Sequence, residues 1–229
     1  MENEPLKIFI GYDSSEPVAY HVCCDSIIQH ATRPVSFTPI GLKNVPAEYT
    51  RPRGLKDSTD FAISRFLVPW LCDFQGLALF MDCDVIVQSD ISTIFDRVDS
   101  NKAVNVVKHN YISKVEKKFL GQNQTKYSRK NWSSVMLFNN KLCSSLTMEY
   151  VMNAHGLDLH QFNWIDDKFI GTLPSEWNHL VGEYELSAEA KLLHYTLGGP
   201  YFSEYRDTDN AEEWFRAFEK AMKPVLMDK

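Results

Sequence analysis

The chain has 229 residues, 24 of them basic and 30 acidic, and its net charge of −6 argues against binding along a nucleic acid. Hydrophobic residues make up 44% and charged residues 24%, which excludes a disordered chain, a collagen and a coiled coil. This length fits a single domain over residues 1–229. The start is polar, and the apolar run at 77–81 is too short to cross a bilayer, so we expect neither a signal peptide nor a transmembrane segment. None of the five cysteines forms a Cys-x-x-Cys pair, and we therefore predict reduced thiols and a cytoplasmic protein.

Strand and helix patterns alternate along the chain, beginning with a strand. The predicted strands lie at 6–10, 35–38, 77–81, 85–87, 103–107, 134–138 and 191–195. The first helix has Ser14 or Ser15 as its cap, with Glu16 and Pro17 in its first turn. Further helices are predicted at 60–73, where Pro69 kinks or ends the helix, and at 144–153, 164–171 and 210–222. This alternation predicts an α/β fold with a mixed, mostly parallel sheet flanked by helices, which binds ligands at the carboxyl ends of its strands.

The segment Phe80-Met81-Asp82-Cys83-Asp84-Val85-Ile86-Val87 places two carboxylates between apolar runs. At the end of a strand, residues i and i+2 point to the same side, so Asp82 and Asp84 lie close together. Two such carboxylates repel each other and are costly to desolvate, and a divalent cation removes both problems. Oxygen ligands suit Mg²⁺ or Mn²⁺. The segment therefore predicts a divalent metal site.

Three functions are compatible with such an Asp-x-Asp segment. In a nucleotide-sugar glycosyltransferase, the metal bridges the carboxylates and the donor diphosphate. In a phosphatase of the haloacid-dehalogenase type, the first Asp attacks phosphorus and the second is a general acid. That motif usually opens the chain and continues with Gly or Thr, whereas here 81 residues precede Asp82, and Val85 and Ile86 follow Asp84. The third possibility is a non-catalytic, sugar-binding relative with a degenerate site.

Spaced motifs between about Lys7 and Phe202 resemble the glycosyltransferases of family eight, which include glycogenin and bacterial lipopolysaccharide galactosyltransferases. The motifs are Ile8-Phe9-Ile10-Gly11-Tyr12-Asp13, Arg65, 79–87, 132–139, Asp166-Asp167-Lys168-Phe169-Ile170, Glu176-Trp177-Asn178 and 194–200. The resemblance implies a single-domain GT-A fold, the fold of nucleotide-diphospho-sugar transferases. It implies a nucleotide-binding half at about 5–108, an acceptor half at about 109–205 and a C-terminal helix at about 210–222.

The resemblance further implies a retaining transfer of a sugar from a nucleotide diphosphate, most often UDP, to a glycan or another hydroxyl acceptor. His194 would be the third metal ligand beside Asp82 and Asp84. Because an imidazole ligand favours Mn²⁺ over Mg²⁺, we predict Mn²⁺, with Mg²⁺ as the alternative. The predicted donor-binding residues are Gly11, Tyr12, Asp13, Arg65, Asp82, Cys83, Asp84, Ser133, Gly198 and Gly199.

Several of these residues have an expected role in holding the donor. Tyr12 would stack on the base and Asp13 would accept a hydrogen bond from it. The glycines Gly198 and Gly199 would present backbone N–H groups to a phosphate. Arg65 would supply a positive charge that stabilises the departing diphosphate, so it is also a catalytic candidate.

The acidic pair Asp166 and Asp167 supplies the other catalytic candidates. Asp167 is predicted to accept hydrogen bonds from sugar or acceptor hydroxyls, or to stabilise positive charge near the anomeric carbon. The chain departs from the family at the donor sugar, where Ser133 and Asp167 replace the usual Asn and Gln. It also has Pro200 where the family has a lysine that holds the diphosphate.

The segment 108–130 has a charge opposite to that of the whole chain. It contains seven basic residues and one acidic residue, Glu116, with four aromatic side chains between them. One interpretation is a solvated helix face and loop. The other is a lid or platform for an acidic acceptor such as a phosphorylated glycan; a nucleic acid is not expected.

Overall fold

Nine strands form two sheets in the part of the chain that the structure describes, which is residues 4–55, 57–111 and 128–223 of a computed structural model. The strands are β1 (Leu6–Gly11), β2 (Val35–Ile40), β3 (Leu77–Met81), β4 (Val85–Val87), β5 (Val104–Val106), β6 (Val135–Asn139), β7 (Ile170–Thr172), β8 (His179–Leu180) and β9 (Leu192–His194). The helices are α1 (Pro17–His30), α2 (Val68–Leu71), α3 (Ser92–Phe95), α4 (Met148–Asn153), α5 (Gly156–His160) and α6 (Ala211–Met222).

The larger sheet has six strands in the order β2-β1-β3-β6-β5-β7. Strand β1 pairs in parallel with β2 and β3, and β5 pairs in parallel with β7, whereas β6 runs antiparallel to β3 and β5. The smaller sheet has the order β4-β9-β8. These pairings confirm the predicted α/β fold with a mixed, mostly parallel sheet.

The central strands are apolar because both of their faces are covered. In β3, four of the five side chains are buried, and α1 packs on the sheet with Cys23 and Ile27 in the core. Helix α6 packs beside α1 through Trp214, which is buried in a second apolar cluster with Val22. The predicted strands and the predicted C-terminal helix are therefore confirmed.

Three predicted helices differ from the structure, and the one predicted at 144–153 is α4, which begins only at Met148. Residues 60–73 form turns, a 3₁₀ segment at Ser64–Leu67 and the single turn of α2, whose first turn contains Pro69. A proline is accommodated in a first turn because that N–H has no helical partner. The helix predicted at 164–171 is wrong, since a 3₁₀ segment at Asp167–Phe169 leads there into β7, which pairs with β5. The short helix α5 was not predicted.

The start of α1 also differs from the prediction. Glu16 is the N-cap residue, and neither Ser14 nor Ser15 has that place. The reason is that Asp13 Oδ1 accepts hydrogen bonds from Ser15 N at 2.8 Å and from Ser15 Oγ at 2.6 Å, which forms a turn before the helix. Among residues 4–55, 57–111 and 128–223, no helix combines the length and the apolar character needed to span a membrane.

Candidate metal centre

The Asp-Cys-Asp segment crosses from the larger sheet to the smaller one. Asp82 follows β3, and its backbone N–H donates to Ser134 O at 2.9 Å. Asp84 precedes β4, and its carbonyl accepts from Tyr195 N at 2.9 Å. Both aspartates are thus held by backbone hydrogen bonds to different sheets. Cys83 lies between them and is buried.

Strand β9 brings His194 to the two aspartates, because His194 pairs with Val85 across the smaller sheet. His194 Nε2 lies 3.3 Å from Asp84 Oδ1 and 3.9 Å from Asp82 Oδ2. One ligand atom from each of the three side chains lies within 4.8 Å of the others. Two carboxylate oxygens and one imidazole nitrogen suit a divalent cation such as Mn²⁺. The residues therefore fit the predicted metal.

The charges at this group are strongly coupled. Burial of the His194 ring disfavours its cationic form, but the Asp84 and Asp82 carboxylates outweigh that effect and raise the pKa of His194 above its ordinary value. The imidazole therefore holds a proton between the carboxylates up to a higher pH than a free histidine does. A divalent cation that binds here replaces that proton.

Arg65 is buried beside Asp82. Its Nη1 lies 2.6 Å from Asp82 Oδ1 and donates to Ser133 O at 2.9 Å. The guanidinium stacks between the rings of Phe61 and Phe80, with centroid distances of 5.1 and 4.9 Å. Arg65 thus contacts the group formed by Asp82, Asp84 and His194, here called the metal group, and its positive charge stabilises the Asp82 carboxylate.

A cleft opens at the carboxyl ends of β1 and β2. It holds about 540 Å³ of open space, and its walls include Tyr12, Tyr20, Pro39 and Leu42. The rings of Tyr12 and Tyr20 meet edge to face at 5.5 Å. This apolar, aromatic cleft has the position and the character of a site for a flat ring.

The other residues at the end of β1 shape the chain next to this cleft. A Cβ on Gly11 would lie 2.5 Å from the Phe61 ring, so only glycine fits there. Asp13 is buried, and its Oδ2 accepts from Asp60 N at 2.9 Å while Ser15 occupies its Oδ1. The Asp13 carboxylate therefore holds two loops together, and its expected contact with a base stays a prediction.

Ser133 and the glycine pair also have partners within the protein. Ser133 Oγ lies 2.7 Å from His160 Nδ1, at the end of α5, and the Ser133 carbonyl accepts from Arg65. Gly198 N donates to Tyr195 O at 2.8 Å, so this N–H is used inside the turn and does not point at a phosphate. Gly199 packs closely against the Tyr201 ring.

Asp166 and Asp167 do not belong to the metal group. Their side chains are 73% and 75% exposed. Asp166 pairs with Lys168 at 3.4 Å, and Asp167 accepts from Arg129 Nη2 at 2.6 Å. The structure therefore places both carboxylates on the surface, one of them paired with an arginine.

Sequence analysis did not predict the roles of two buried side chains, Glu16 and Asn178, which lie near the metal group. Glu16 accepts a hydrogen bond of 2.6 Å from Tyr201 Oη, and Cys83 Sγ lies 3.7 Å from its other oxygen. Burial, together with the Asp84 carboxylate, raises the pKa of Glu16 to about 8. Asn178 contacts His194 directly, with Oδ1 2.9 Å from Nδ1. The Trp-Asn motif drew attention to Asn178, but no sequence signal gave it a partner.

Four rings form an aromatic cluster beside the metal group, namely His109, Tyr111, Trp132 and Tyr184. His109 stacks on Tyr184 at 5.7 Å, Tyr111 meets Tyr184 at 5.6 Å, and Trp132 Nε1 donates to His109 O at 2.8 Å. Lys108 and Arg129 lie over the Trp132 ring, and Lys130 lies over Tyr111. The rest of the basic segment, residues 112–127, lies outside the described residues.

Comparisons with solved structures agree on the architecture. The bifunctional glycosyltransferase WbbM matches with a TM-score of 0.65 and 17% identity, over 94% of this chain and 50% of that protein. The galactosyltransferase LgtC, in complex with donor and acceptor sugar analogs, matches with a TM-score of 0.61 and 14% identity, over 96% of this chain and 97% of that one. The glycosyltransferase GlyE of Streptococcus pneumoniae matches with a TM-score of 0.59 and 15% identity over 96% of this chain. The chain spans half the length of WbbM and 61% of GlyE.

A curated relative is far more similar in sequence. Protein CDI of Arabidopsis thaliana is 40% identical over 228 residues, which cover 96% of this chain and 88% of that protein. No family model matches the chain, so membership of glycosyltransferase family eight stays a prediction. The chain has the GT-A fold of these glycosyltransferases and belongs to the family of Protein CDI.

Proposed function

We propose that the protein is a metal-dependent, retaining glycosyltransferase that uses a nucleotide-diphosphate sugar. A UDP-sugar is the first candidate for this donor. The observation that carries this proposal is the group of Asp82, Asp84 and His194, whose ligand atoms lie within 4.8 Å of one another at the carboxyl end of β3. The GT-A fold supports it, because ligands of open α/β sheets bind at this edge. Retention of configuration rests on the resemblance to family eight.

The residues of the chain would act on the leaving diphosphate. A divalent cation, Mn²⁺ in first place and Mg²⁺ as the alternative, would act as a Lewis acid on the diphosphate oxygens. Asp82 and Asp84 orient that site, and the contact of 2.6 Å between Arg65 Nη1 and Asp82 Oδ1 holds the Asp82 carboxylate in place. Preorganised charges of this kind stabilise the transition state because they need no rearrangement when the bond breaks.

The cleft lined by Tyr12 and Tyr20 is the proposed site of the base. Stacking on an aromatic ring stabilises any base, and the choice of uracil rests on the resemblance to family eight. The cleft lies at the end of β1, and β3, which leads to Asp82, is its parallel neighbour. A nucleoside there would extend its diphosphate towards the metal group.

The aromatic cluster is the proposed acceptor site. Its rings offer apolar surface for a sugar ring, and the amines of Lys108 and Lys130 would attract a phosphate on that sugar. The cluster is connected to the metal group, since Asn131 Nδ2 donates to Tyr111 Oη at 2.8 Å and the Asn131 carbonyl is within 3.4 Å of Asn178 Nδ2. A phosphorylated glycan is therefore the proposed acceptor class.

A catalytic role of Asp166 and Asp167 is kept as a proposal with its own requirement. Asp167 can reach a reacting sugar only if its pair with Arg129 opens when substrate binds. If both carboxylates act on the substrate, Asp167→Asn and Asp166→Asn would each lower transfer, while Asp207→Asn, at an exposed position, would not.

A reducing compartment is the proposed location, and the cytosol is the simplest one. All five cysteines are free thiols in the structure, and four of them are buried. Free buried thiols fit a cytosolic protein better than a secreted one. Imaging of a fluorescent fusion protein tests this proposal.

The decisive experiment measures transfer from, or hydrolysis of, UDP-sugars during a Mn²⁺ titration of EDTA-treated protein. We expect Asp84→Asn and His194→Ala each to raise the Mn²⁺ concentration needed for activity at least tenfold, because the first removes a negative charge from the site and the second removes the imidazole ligand. The double variant loses much less than the sum of the two, since both act through one ion. Asp207→Asn, at an exposed position, is the matched control.

Two results would overturn the proposal. Full activity in EDTA, or additive losses in the double variant, would show that Asp84 and His194 do not share a catalytic ion. Binding of UDP-sugar without any turnover, with all acceptors tried, would favour the non-catalytic relative.

A further inference from the structure

A hydrogen-bond chain leads from the backbone of Asn131 to the metal group. The Asn131 carbonyl accepts from Ser134 Oγ at 2.7 Å and from Asn178 Nδ2 at 3.4 Å. Asn178 Nδ2 also donates to Ser134 Oγ at 2.8 Å, and Asn178 Oδ1 lies 2.9 Å from His194 Nδ1. Asn178 is fully buried, so its amide depends on these partners.

The donor and the acceptor in each of these hydrogen bonds follow from the first acceptor, the backbone carbonyl of Asn131. A backbone carbonyl only accepts, so the Ser134 hydroxyl gives its single proton to Asn131 O and accepts from Asn178 with its oxygen. An amide turned by 180° would point Asn178 Oδ1 at two acceptors. Oδ1 therefore faces His194, and the imidazole must carry a proton on Nδ1 to complete the bond.

Asn131, the residue that begins this series of hydrogen bonds, is itself held firmly in place. Asn131 has φ of 61°, a left-handed conformation that asparagine adopts more readily than most residues. Its side-chain Nδ2 donates to Tyr111 Oη at 2.8 Å and to Thr196 Oγ1 at 3.2 Å. The contacts with Tyr111 and Thr196 hold Asn131 in place, and with it the carbonyl that orients Asn178.

A proton on Nδ1 leaves Nε2 as the nitrogen that can bind a cation. Nε2 is also the atom that faces the carboxylates, 3.3 Å from Asp84 Oδ1, while Nδ1 points away from them to Asn178. We propose that Asn178 is a positioning residue for the metal: it accepts from Nδ1–H and so fixes the tautomer and the ring orientation in which His194 Nε2 completes the group. This inference rests on the proposed metal-dependent function, and it assigns a role to a residue that does not touch the ion.

The test measures Mn²⁺ binding to the intact protein without nucleotide, from the electron paramagnetic resonance signal of free Mn²⁺. We expect Asn178→Leu to raise the Kd for Mn²⁺ by about 10–100-fold, the usual effect of losing a partner that orients a metal-binding histidine. Asn178→Asp should keep the Kd within a few-fold of the wild type, because a carboxylate also accepts from Nδ1–H and its second oxygen can accept the proton of the Ser134 hydroxyl, which can rotate. Asn178→Leu should add little to His194→Ala, since Asn178 acts through that ring.

A milder variant keeps the test decisive if the buried leucine prevents folding. Ser134→Ala removes one hydroxyl, frees the Asn178 amide to turn and should raise the Kd several-fold, while the melting temperature reports on the fold. Wild-type Mn²⁺ affinity in Asn178→Leu or Ser134→Ala, or a Kd as high in Asn178→Asp as in Asn178→Leu, would overturn the positioning role. Equal Mn²⁺ binding by the wild type and His194→Ala would instead overturn the metal site and the proposed function.

Discussion

Arg65 carries a charge into the protein interior, where it contacts the Asp82 carboxylate after β3, the Ser133 carbonyl before β6 and the Phe61 carbonyl. One nitrogen, Nη1, bonds both Asp82 Oδ1 and Ser133 O. We expect Arg65→Ala to lower transfer by about 10²–10³-fold, the loss seen when one preorganised charge donor is removed. Arg65→Lys should restore only part of the rate, since an ammonium lacks the planar fork whose carbon lies over the rings of Phe61 and Phe80.

The measurement compares turnover with unfolding, because removal of one partner from a buried ion pair costs about 3–5 kcal/mol of stability. Rates are therefore taken well below the melting temperature of each variant. Arg206→Ala, at an exposed arginine that stacks on Phe215, is the control. A wild-type rate in Arg65→Ala would mean that Arg65 is a packing residue only.

Glu16 should make the stability of the metal-free protein depend on pH. Its folded pKa of about 8 lies above the value of 4.5 for an ordinary glutamate, because of burial and of the Asp84 charge. Between these values the folded protein holds a proton that the unfolded chain releases. The stability that this proton contributes is complete below pH 4.5 and is lost as the pH rises through 8.

The comparison variant is Glu16→Gln, which keeps the shape and stays neutral. In EDTA, we expect the wild type to lose several degrees more of melting temperature than Glu16→Gln between pH 5 and pH 8.5. Glu219→Gln, on the exposed face of α6, should follow the wild type. Parallel pH profiles of the wild type and Glu16→Gln would show that Glu16 is ionised in the folded protein.

The residues that the sequence could identify are those whose chemistry is visible in one segment. The apolar flanks of Asp82 and Asp84 predicted a strand end with two carboxylates, and the structure has that strand end. Asn178 and Glu16 differ, because their partners His194 and Tyr201 come from other elements and no local pattern records the contact. Asp167 shows the converse, since a motif position suggested a site and the structure shows an exposed ion pair.

At the scale of elements, a prediction succeeded where the segment itself fixes the structure. Strand β3 is a continuous apolar run, β1 is apolar apart from Lys7, and α6 has one apolar stripe, so a single pairing or docking face is available. The segment 164–171 has apolar residues at helical spacing, yet β7 forms there because β5 offers a parallel edge. That choice depends on a distant strand, which outweighs local propensity.

The basic segment 108–130 gives a prediction at the same scale. If it recognises an acidic acceptor, reversal of Lys117 and Lys118 to Glu should raise the KM for a phosphorylated acceptor about tenfold or more and leave the Kd of the donor unchanged. The control is the same charge reversal at Lys220 and Lys223, which are exposed at the end of α6. Donor affinity is measured by calorimetry. An equal loss of donor affinity would assign the segment to the donor instead.

At the scale of the whole molecule, the metal group joins distant parts of the chain. Asp82 leaves the larger sheet, and His194 belongs to the smaller one. A ligand that binds only when this group is assembled stabilises the fold by mass action, by about 2.7 kcal/mol at a hundred times its Kd. For a domain of this length that corresponds to about 5–10 °C in melting temperature.

We therefore expect UDP with Mn²⁺ to raise the melting temperature by several degrees, and UDP in EDTA to raise it much less, because the diphosphate then meets two carboxylates with no divalent cation between them. The Asp84→Asn variant, which lacks one negative charge of the site, should lose most of the Mn²⁺-dependent part, whereas Asp207→Asn should keep it. ADP and GDP, measured at the same concentration, test the cleft lined by Tyr12, since a purine that stabilised the protein as well as uracil would remove the argument for a UDP-sugar. Equal stabilisation by UDP in EDTA and in Mn²⁺ would show that the nucleotide binds without the ion. Contacts within the protein would then have to hold the larger and the smaller sheet together without the ion.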